Sequence, residues 1–318
     1  MGDLVIGADV GGTRVKYVLA DASGSVIARG DIGTDPGDPG DTLERLVRAA
    51  REAASGHGGL VTAAGLACAG IVSPEDGWLG RSPNLPGWEK RALGDLAAGV
   101  IGAPVALAND VNAALYGEAR FGAGVGCRDL VMVALGTGVG GGLLLDGKLR
   151  IGANNGAGEI GHVVLDPEGP RCSCGNEGCL EAYAGSVGML RRATELAAGT
   201  DATPAFQRLM TGSGTQPTTA ALHVLAEEGD PCARKLFREV GLRLGQAVAN
   251  VANLLDPERV IIGGGVAQAG ELILGPCREQ VRRLVLSEQA KQLPVVPAQL
   301  GPHAAARGAA ALAAERVI

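Results

Sequence analysis

Four residues of the types that bind zinc stand close together in one short stretch of this chain. The stretch reads G-E-I-G-H, nine further residues, then C-S-C-G-N-E-G-C-L-E, and its candidate ligands are His162, Cys172, Cys174 and Cys179. Three thiolates and an imidazole suit a tetrahedral zinc site that has a structural role and no open position for chemistry. Gly175 and Gly178 interleave the cysteines, as a tight metal-binding turn requires. The alternative is that these cysteines are core thiols or a disulfide pair.

Two carboxylates flank this set of candidate ligands. Glu159 precedes His162 by three residues, and Glu181 follows Cys179 by two. A structural metal would cross-link the segment that carries both glutamates. The sequence therefore predicts a braced platform on which Glu159 and Glu181 hold a ligand other than the metal.

A glycine-rich turn near the N-terminus also carries a carboxylate. Asp9 ends an apolar run and is followed by Val10, Gly11, Gly12 and Thr13. Glycines let main-chain N–H groups approach phosphate oxygens without a side-chain clash, and the Thr13 hydroxyl adds a donor. Asp9 is a candidate to hold a magnesium ion through water. The alternative is a plain hairpin turn.

The same design recurs in the second half of the chain. The run L-G-T-G-V-G-G-G offers Gly136, Thr137, Gly138 and Gly140 as candidate phosphate contacts. Two such turns facing each other would cradle one polyphosphate chain from both sides, and this hypothesis is favoured over two unrelated hairpins. Gly264, in a Gly-Gly-Gly run after an apolar strand, would admit a flat base or ribose, although close helix packing gives the same pattern.

The dipeptide Asn109-Asp110 lies between an apolar strand and a helix. The carboxyl ends of strands are a common place for ligands in α/β sheets. A carboxylate at this position is ionised at neutral pH and can accept a hydroxyl proton while the oxygen attacks phosphorus. Asp110 is therefore a candidate general base. The alternative is that Asp110 only caps the following helix, which the pattern predicts over residues 112–121.

The order of apolar runs and turns predicts an α/β fold. Strands at 4–10, 15–20 and 25–32 form an antiparallel meander, which argues against a dinucleotide-binding βαβ start. A second hairpin, with strands at 129–135 and 142–146 around the glycine run 136–141, repeats the first and indicates duplication. Further strands are predicted at 60–69, 105–108, 148–150 and 260–262, and helices at 41–54, 187–197, 218–227, 231–255 and 304–318.

The length of 318 residues favours two domains, and the 46% hydrophobic content is enough to form two cores. We place one domain at residues 1–115, joined by the helix 304–318, and the other, with the zinc site, at 116–303.

A net charge of −6 argues against nucleic-acid or anionic-membrane partners. The seven cysteines show no pairing pattern beyond the zinc stretch, and no signal peptide or membrane span is visible, so a cytoplasmic protein is expected.

With these motifs in place, the chain resembles the ROK family of bacterial sugar kinases and repressors, from Gly7 to the last helix. The resemblance rests on Asp9-x-Gly11-Gly12-Thr13, Asn109-Asp110, the glycine run 135–142, Gly158-Glu159-x-Gly161-His162, and the cysteine stretch that ends at Glu181. It implies two ribonuclease-H-like, actin-like ATPase lobes with an interdomain cleft. Arg14 stands where many members have Lys, and Ala69-Gly70 where many have Pro-Gly.

The resemblance also implies roles for the residues. Asp110 would be the base on a sugar's primary hydroxyl, and His162 would bind both zinc and sugar. Contacts to the sugar would come from Asn84, Asn109, Asp110, Glu159, His162 and Glu181. ATP with magnesium would be the phosphoryl donor, and a homodimer is expected. Only eight residues precede Asp9, so we expect no DNA-binding domain like that of the repressors.

The implied activity is an ATP-dependent hexose 6-kinase, in first place a glucokinase. A kinase for N-acetylmannosamine or another hexose, with polyphosphate as an alternative donor, is the second hypothesis. A sugar sensor without catalysis is the third.

Overall fold

The computed structural model of the chain describes residues 3–55, 57, 59–82, 84–212 and 216–317, with side chains as far as residue 315. Its strands are β1 (Asp3–Val10), β2 (Arg14–Asp21), β3 (Val26–Gly33), β4 (Leu60–Cys68), β5 (Val72–Ser73), β6 (Trp78–Leu79), β7 (Val105–Asn109), β8 (Leu130–Leu135), β9 (Val139–Leu145), β10 (Lys148–Leu149), β11 (Arg259–Gly263) and β12 (Val295–Pro297). Its α-helices are α1 (Pro39–Ala54), α2 (Leu93–Ile101), α3 (Asp110–Phe121), α4 (Glu181–Ala184), α5 (Ser186–Ala197), α6 (Pro204–Thr211), α7 (Thr219–Glu227), α8 (Pro231–Leu255), α9 (Glu271–Leu284) and α10 (Ala304–Val317).

The chain divides into two compact units. Unit 1 comprises Met1–Arg128, Asp146–Ala157 and Gln299–Ile318, and unit 2 comprises Asp129–Leu145 and Gly158–Ala298. The helix α10 thus belongs to the same unit as the N-terminal strands. The domain boundary expected at residue 115 lies inside α3, and contacts place the whole of that helix in unit 1.

Unit 1 is built on a mixed sheet with the order β3-β2-β1-β4-β7. The strands β1, β2 and β3 pair antiparallel, as the meander predicted, whereas β4 runs parallel to both β1 and β7. One core of this unit contains α1 and α2 side chains such as Leu43, Leu46 and Leu93, together with the fully buried Trp88. The indole Nε1 of Trp88 donates to the Asp35 carbonyl at 2.9 Å.

The alanine-rich helix α10 lies with its backbone directly against its neighbours in unit 1. A Cβ atom added at Gly65 in β4 would stand 1.9 Å from the Ala309 carbonyl oxygen. A Cβ atom added at Gly308 in α10 would stand 1.7 Å from the Ala113 carbonyl oxygen in α3. No side chain larger than hydrogen fits at these crossings, so the close packing of α10 against β4 and α3 requires glycine at both positions.

A buried carboxylate also fixes α3. Glu118 is fully buried, and its oxygens accept the backbone N–H groups of Ala123, Gln299 and Leu300 at 2.7–2.9 Å. These three donors replace the hydrogen bonds to water that the carboxylate loses when it is buried. The helix that begins at Asp110 is therefore anchored to the segment that leads into α10.

Unit 2 repeats the strand pattern of unit 1. Four of its strands follow the order β9-β8-β11-β12, with β8 antiparallel to β9 and parallel to β11, and β11 parallel to β12. The strands β2-β1-β4-β7 of unit 1 have the same order and the same directions, in agreement with the predicted duplication. The core of unit 2 contains Phe206 and Phe237 from α6 and α8. Within the described part of the chain, no helix is both long and apolar enough to span a bilayer.

The prediction was wrong about the extent of the second glycine turn. The turn consists of residues 136–138, because Gly140, Gly141 and Gly142 pair with β8 as part of β9. A Cβ atom at Gly141 would stand 2.2 Å from the Gly158 carbonyl oxygen, so this strand needs glycine where another segment crosses it. The helices α2, α6 and α9 were not predicted. The first ends on a glycine cap without a side-chain cap at its start, and the last contains Pro276, which interrupts the helical pattern.

Candidate active site

The candidate base, Asp110, is the first residue of α3 and follows β7 directly. Asn109, not Asp110, caps the helix, since its Oδ1 accepts the N–H groups of Val111 and Asn112 at 2.9 and 3.1 Å. The Asn109 Nδ2 donates to the Gly70 carbonyl at 3.1 Å. An amide nitrogen carries two hydrogens, so Asn109 keeps one donor for a ligand. The capping role proposed for Asp110 thus belongs to its neighbour, and Asp110 is not needed for it.

The first glycine turn is shaped by contacts on both sides. The Gly11 N–H donates to the Arg14 carbonyl at 3.1 Å, and the Thr34 hydroxyl donates to the Gly11 carbonyl at 2.7 Å. A Cβ atom at Gly12 would stand 2.7 Å from the Asn84 carbonyl oxygen. The loop that carries the exposed Asn84 therefore touches the turn, while Thr13 is exposed beside it. Thus the structure brings Asn84, predicted to contact sugar, next to the predicted phosphate turn.

Asp9, at the end of β1, has a raised pKa. Burial raises the pKa of this carboxyl to about 6, and the negative charge of Asp110 adds to the effect, while the ammonium of Lys16 opposes it. The Lys16 Nζ lies 3.9 Å from Asp9 Oδ2. Asp9 and Asp110 thus lie close enough to repel each other. A divalent cation between or beside them would relieve that repulsion, which fits the expected magnesium ligand.

We expect Asp9→Asn to stabilise the protein above pH 6 and to do little near pH 4. Because the folded state holds a proton that the unfolded state has already lost, stability falls as pH rises between 3.8 and about 6. At pH 7.5 the gain is on the order of 3 kcal/mol, at about 1.4 kcal/mol per pKa unit. Denaturant titration at pH 4 and pH 7.5 measures it, with Asp3→Asn on the same strand as control. A gain that does not change with pH would contradict the assignment.

The second glycine turn, at residues 136–138, is fixed to the start of α5. The Gly136 N–H donates to the Gly138 carbonyl at 2.9 Å, and the Ser186 N–H donates to the Gly136 carbonyl at 2.9 Å. Thr137 is exposed at the tip of the turn. The backbone of the turn is thus held in place while its outer face stays accessible. Gly140 lies beyond the turn in β9, and its contact with a nucleotide stays a prediction.

Gly264 has an explanation in packing. Its φ angle is +91°, and a Cβ atom there would stand 2.2 Å from the Leu135 carbonyl oxygen at the end of β8. Both the left-handed backbone and the short distance exclude a side chain. Close packing against the residue that leads into the second turn accounts for this glycine, and a contact with the nucleotide stays a prediction.

The predicted zinc ligands converge. One ligand atom from each of His162, Cys172, Cys174 and Cys179 lies within 4.8 Å of all the others. The Sγ atoms of Cys174 and Cys179 are 3.7 Å apart, and His162 Nδ1 is 3.7 Å from Cys172 Sγ. Zinc–sulfur bonds of about 2.3 Å in a tetrahedron place two sulfurs about 3.8 Å apart, so the cluster has the dimensions of a zinc site. The four side chains are close enough together to hold one metal ion.

The carboxylate of Glu181 lies beside this cluster. Burial alone would raise its pKa, but hydrogen bonds from the Ser173 hydroxyl and the Val139 N–H hold the pKa below its ordinary value. Glu159 is exposed and precedes the 3-10 turn Ile160–His162. His162 directs Nδ1 toward the cysteines, which leaves Nε2 as the nitrogen for a second partner. The sequence did not identify Ser173 or the Val139 N–H, although a serine between two ligand cysteines was a signal.

Residues 5–316 match the sequence model of the ROK family. The chain belongs to the ROK family. It is 35% identical over 317 residues to a glucokinase of Streptomyces coelicolor, covering 98% of both chains. A crystal structure of a ROK glucokinase from Streptomyces griseus with glucose and AMPPNP matches 98% of this chain and 99% of its own, at 36% identity and a TM-score of 0.80. A ROK hexokinase from Thermus thermophilus matches 99% of each chain, at 31% identity and a TM-score of 0.81.

Proposed function

We propose that this ROK protein is an ATP-dependent hexose kinase, in first place a glucokinase, that phosphorylates the sugar 6-hydroxyl. One observation carries the proposal. An acidic side chain, Asp110, stands at the end of β7 within electrostatic reach of Asp9, in a chain similar over 98% of its length to a glucokinase bound to glucose and AMPPNP. A base beside a cation-binding carboxylate is what phosphoryl transfer to an alcohol requires.

In the proposed reaction the sugar hydroxyl oxygen forms a bond to the γ-phosphorus while the bond to the bridging oxygen of ADP breaks. Asp110 accepts the hydroxyl proton. Main-chain N–H groups of the turns at residues 11–13 and 136–138 would bind phosphate oxygens. Asp9 would hold a magnesium ion, which would supply positive charge next to the phosphates. Most of the acceleration comes from positioning and charge stabilisation, since phosphoryl transfer needs little covalent help from the protein.

The sugar ring is held by polar groups from several segments. Asn84 and Asn109 belong to unit 1, whereas Glu159, His162 and Glu181 belong to unit 2. The free hydrogen of Asn109 Nδ2, the free nitrogen of His162 and the carboxylates of the two glutamates can each pair with a ring hydroxyl. The matching strand orders support the two units as the lobes of an actin-like ATPase fold.

The cysteine and histidine cluster is proposed to hold a structural zinc ion. The support is its donor set of three sulfurs and one nitrogen, and the 3.7 Å separations of its ligand atoms. Zinc would tie His162 to the segment that leads into Glu181.

The seven cysteines form no disulfide among the described residues, which supports a reducing, cytoplasmic location. A homodimer without nucleic-acid or membrane partners stays part of the proposal.

A substrate panel tests the proposed function. Glucose, mannose, fructose, N-acetylglucosamine and N-acetylmannosamine are offered with ATP and then with polyphosphate, and ADP release and sugar phosphate are measured. We expect ATP-dependent phosphorylation with glucose as the substrate of highest kcat/KM. A higher value for N-acetylmannosamine, or transfer from polyphosphate, would favour the second hypothesis. Sugar binding with no phosphoryl transfer to any sugar would favour the sensor and overturn the proposal.

A further inference from the structure

The side chain of Ser173 makes a short hydrogen bond to the proposed sugar ligand Glu181. The Ser173 Oγ donates to Glu181 Oε1 at 2.6 Å. Ser173 stands between Cys172 and Cys174, so both of its neighbours are candidate metal ligands that fix its backbone. Nothing else in the reaction scheme uses this serine. Its hydroxyl is therefore held by the cluster and directed at one oxygen of Glu181.

The other oxygen of Glu181 contacts the second glycine turn. The Val139 N–H, immediately after the turn 136–138, donates to Glu181 Oε2 at 3.1 Å. A Cβ atom at Gly138 would stand 2.3 Å from the same oxygen, so the carboxylate lies against the turn itself. Glu181 is thus held on one side by the cysteine stretch and on the other by the segment proposed to bind phosphate.

We propose that Ser173 is a positioning residue that fixes the rotamer of Glu181, and that Glu181 in this position couples hexose binding to nucleotide binding through the turn at residues 136–138. The inference rests on the proposed function for the identity of the two ligands. The bond from Ser173 is charge-assisted, and such bonds are stronger than those between neutral groups. A sugar hydroxyl that donates to Glu181 would find the carboxylate already oriented, with less side-chain entropy to lose.

The coupling follows from the shared carboxylate. A sugar hydroxyl that donates to Glu181 reduces the negative charge on the carboxylate and so weakens its hydrogen bond with the Val139 N–H. The backbone of the turn then shifts in response to the weaker bond. Because coupling between two binding sites is reciprocal, nucleotide bound at the turn must change hexose affinity by the same factor. The residues involved, Ser173, Glu181 and Val139, all lie within unit 2.

Ser173→Ala in the metal-loaded enzyme tests the inference, with Ser173→Thr as the conservative variant that keeps the hydroxyl. Calorimetry measures glucose affinity, and AMPPNP affinity with and without saturating glucose. We expect Ser173→Ala to weaken glucose binding about tenfold, equivalent to about 1.4 kcal/mol. It should also bring the ratio of the two AMPPNP affinities toward one, while zinc content and kcat at saturation stay within about threefold of wild type. Ser173→Thr should restore both affinities.

Ser287→Ala is the matched control, because Ser287 is also an exposed serine of unit 2. Its hydroxyl donates to the Gln289 side-chain oxygen at 3.1 Å and accepts the Ala290 N–H at 3.4 Å, and neither partner belongs to the proposed site. The inference would be overturned if Ser173→Ala bound glucose as tightly as the wild type does. It would also be overturned if saturating glucose left the AMPPNP affinity of the wild-type protein unchanged. Loss of zinc from Ser173→Ala would also overturn it, since the serine would then act on the metal site. The proposed function fails separately, if wild-type protein binds glucose and AMPPNP but releases no ADP from ATP.

Discussion

Asp110→Asn is expected to lower turnover by about 10²–10⁴-fold, the usual contribution of a general base. The amide has the size of the carboxylate but cannot take the hydroxyl proton. Its Oδ1 can still accept the Val111 N–H, which donates to Asp110 Oδ1 at 3.0 Å, so the start of α3 should be unchanged. Hexose affinity should fall far less than turnover, since the amide oxygen can still accept the hydrogen bond of the sugar hydroxyl, although more weakly than a carboxylate does. ADP release gives the turnover, and calorimetry gives the affinity.

Asp95→Asn is the matched control for this variant. Asp95 is an exposed carboxylate in the first turn of α2, so its replacement removes the same favourable interaction with a helix N-terminus. Its turnover should equal that of the wild type. Unchanged turnover in Asp110→Asn would remove Asp110 as the base, and lost hexose affinity with unchanged kcat would make it a binding residue instead.

Removing the proposed zinc ion, by a strong chelator or by Cys179→Ser, is expected to weaken hexose binding by more than about 100-fold. Cys179 is fully buried within the cluster, and its sulfur lies 3.7 Å from that of Cys174. Structural zinc contributes about 10–16 kcal/mol of apparent binding energy in small peptides, so its loss should release the segment that carries His162 and Glu181. Metal analysis and calorimetry with glucose measure the two effects together.

Cys232→Ser controls for the loss of a thiol. Cys232 is half-buried in the same unit, lies outside the cluster, and its sulfur contacts the Asp201 carbonyl at 3.5 Å. This variant should keep its zinc and its affinity for glucose. Protein that contains no metal and still binds and phosphorylates glucose normally would show that the cluster is not a zinc site.

Features that depend on neighbouring residues in the sequence were predictable. The candidate zinc ligands lie within 18 residues, and the strand before Asp110 is a plain apolar run. Residue type and spacing were therefore sufficient to predict that the four ligand atoms converge and that Asp110 follows a strand. The alternative role considered for Asp110, capping of α3, belongs to Asn109. Asn and Asp are both good caps, and only the backbone decides which one precedes the helix.

Other features depend on segments that are distant in the sequence. Gly140 and Gly141 look like part of a turn, but they pair with β8 as residues of β9. Glycine is needed at position 141 because the segment at Gly158 crosses the strand at a distance that excludes a Cβ atom. Similarly, the bond from Ser173 to Glu181 depends on a side-chain rotamer and on how the cysteine stretch folds back. Such contacts carry no periodic pattern, so sequence reasoning could not find them.

The close packing of α10 has a consequence for synthesis of the chain. Unit 1 takes strands from the first residues and its closing helix from the last ones, whereas unit 2 lies between them. Since chains emerge from the ribosome N-terminus first, the sheet that carries Asp9 must wait for the final helix before α3 can be anchored. A message that stops before α10 would yield a chain in which α3, with the candidate base Asp110 at its start, lacks this anchor. We expect such a chain to be inactive toward ATP.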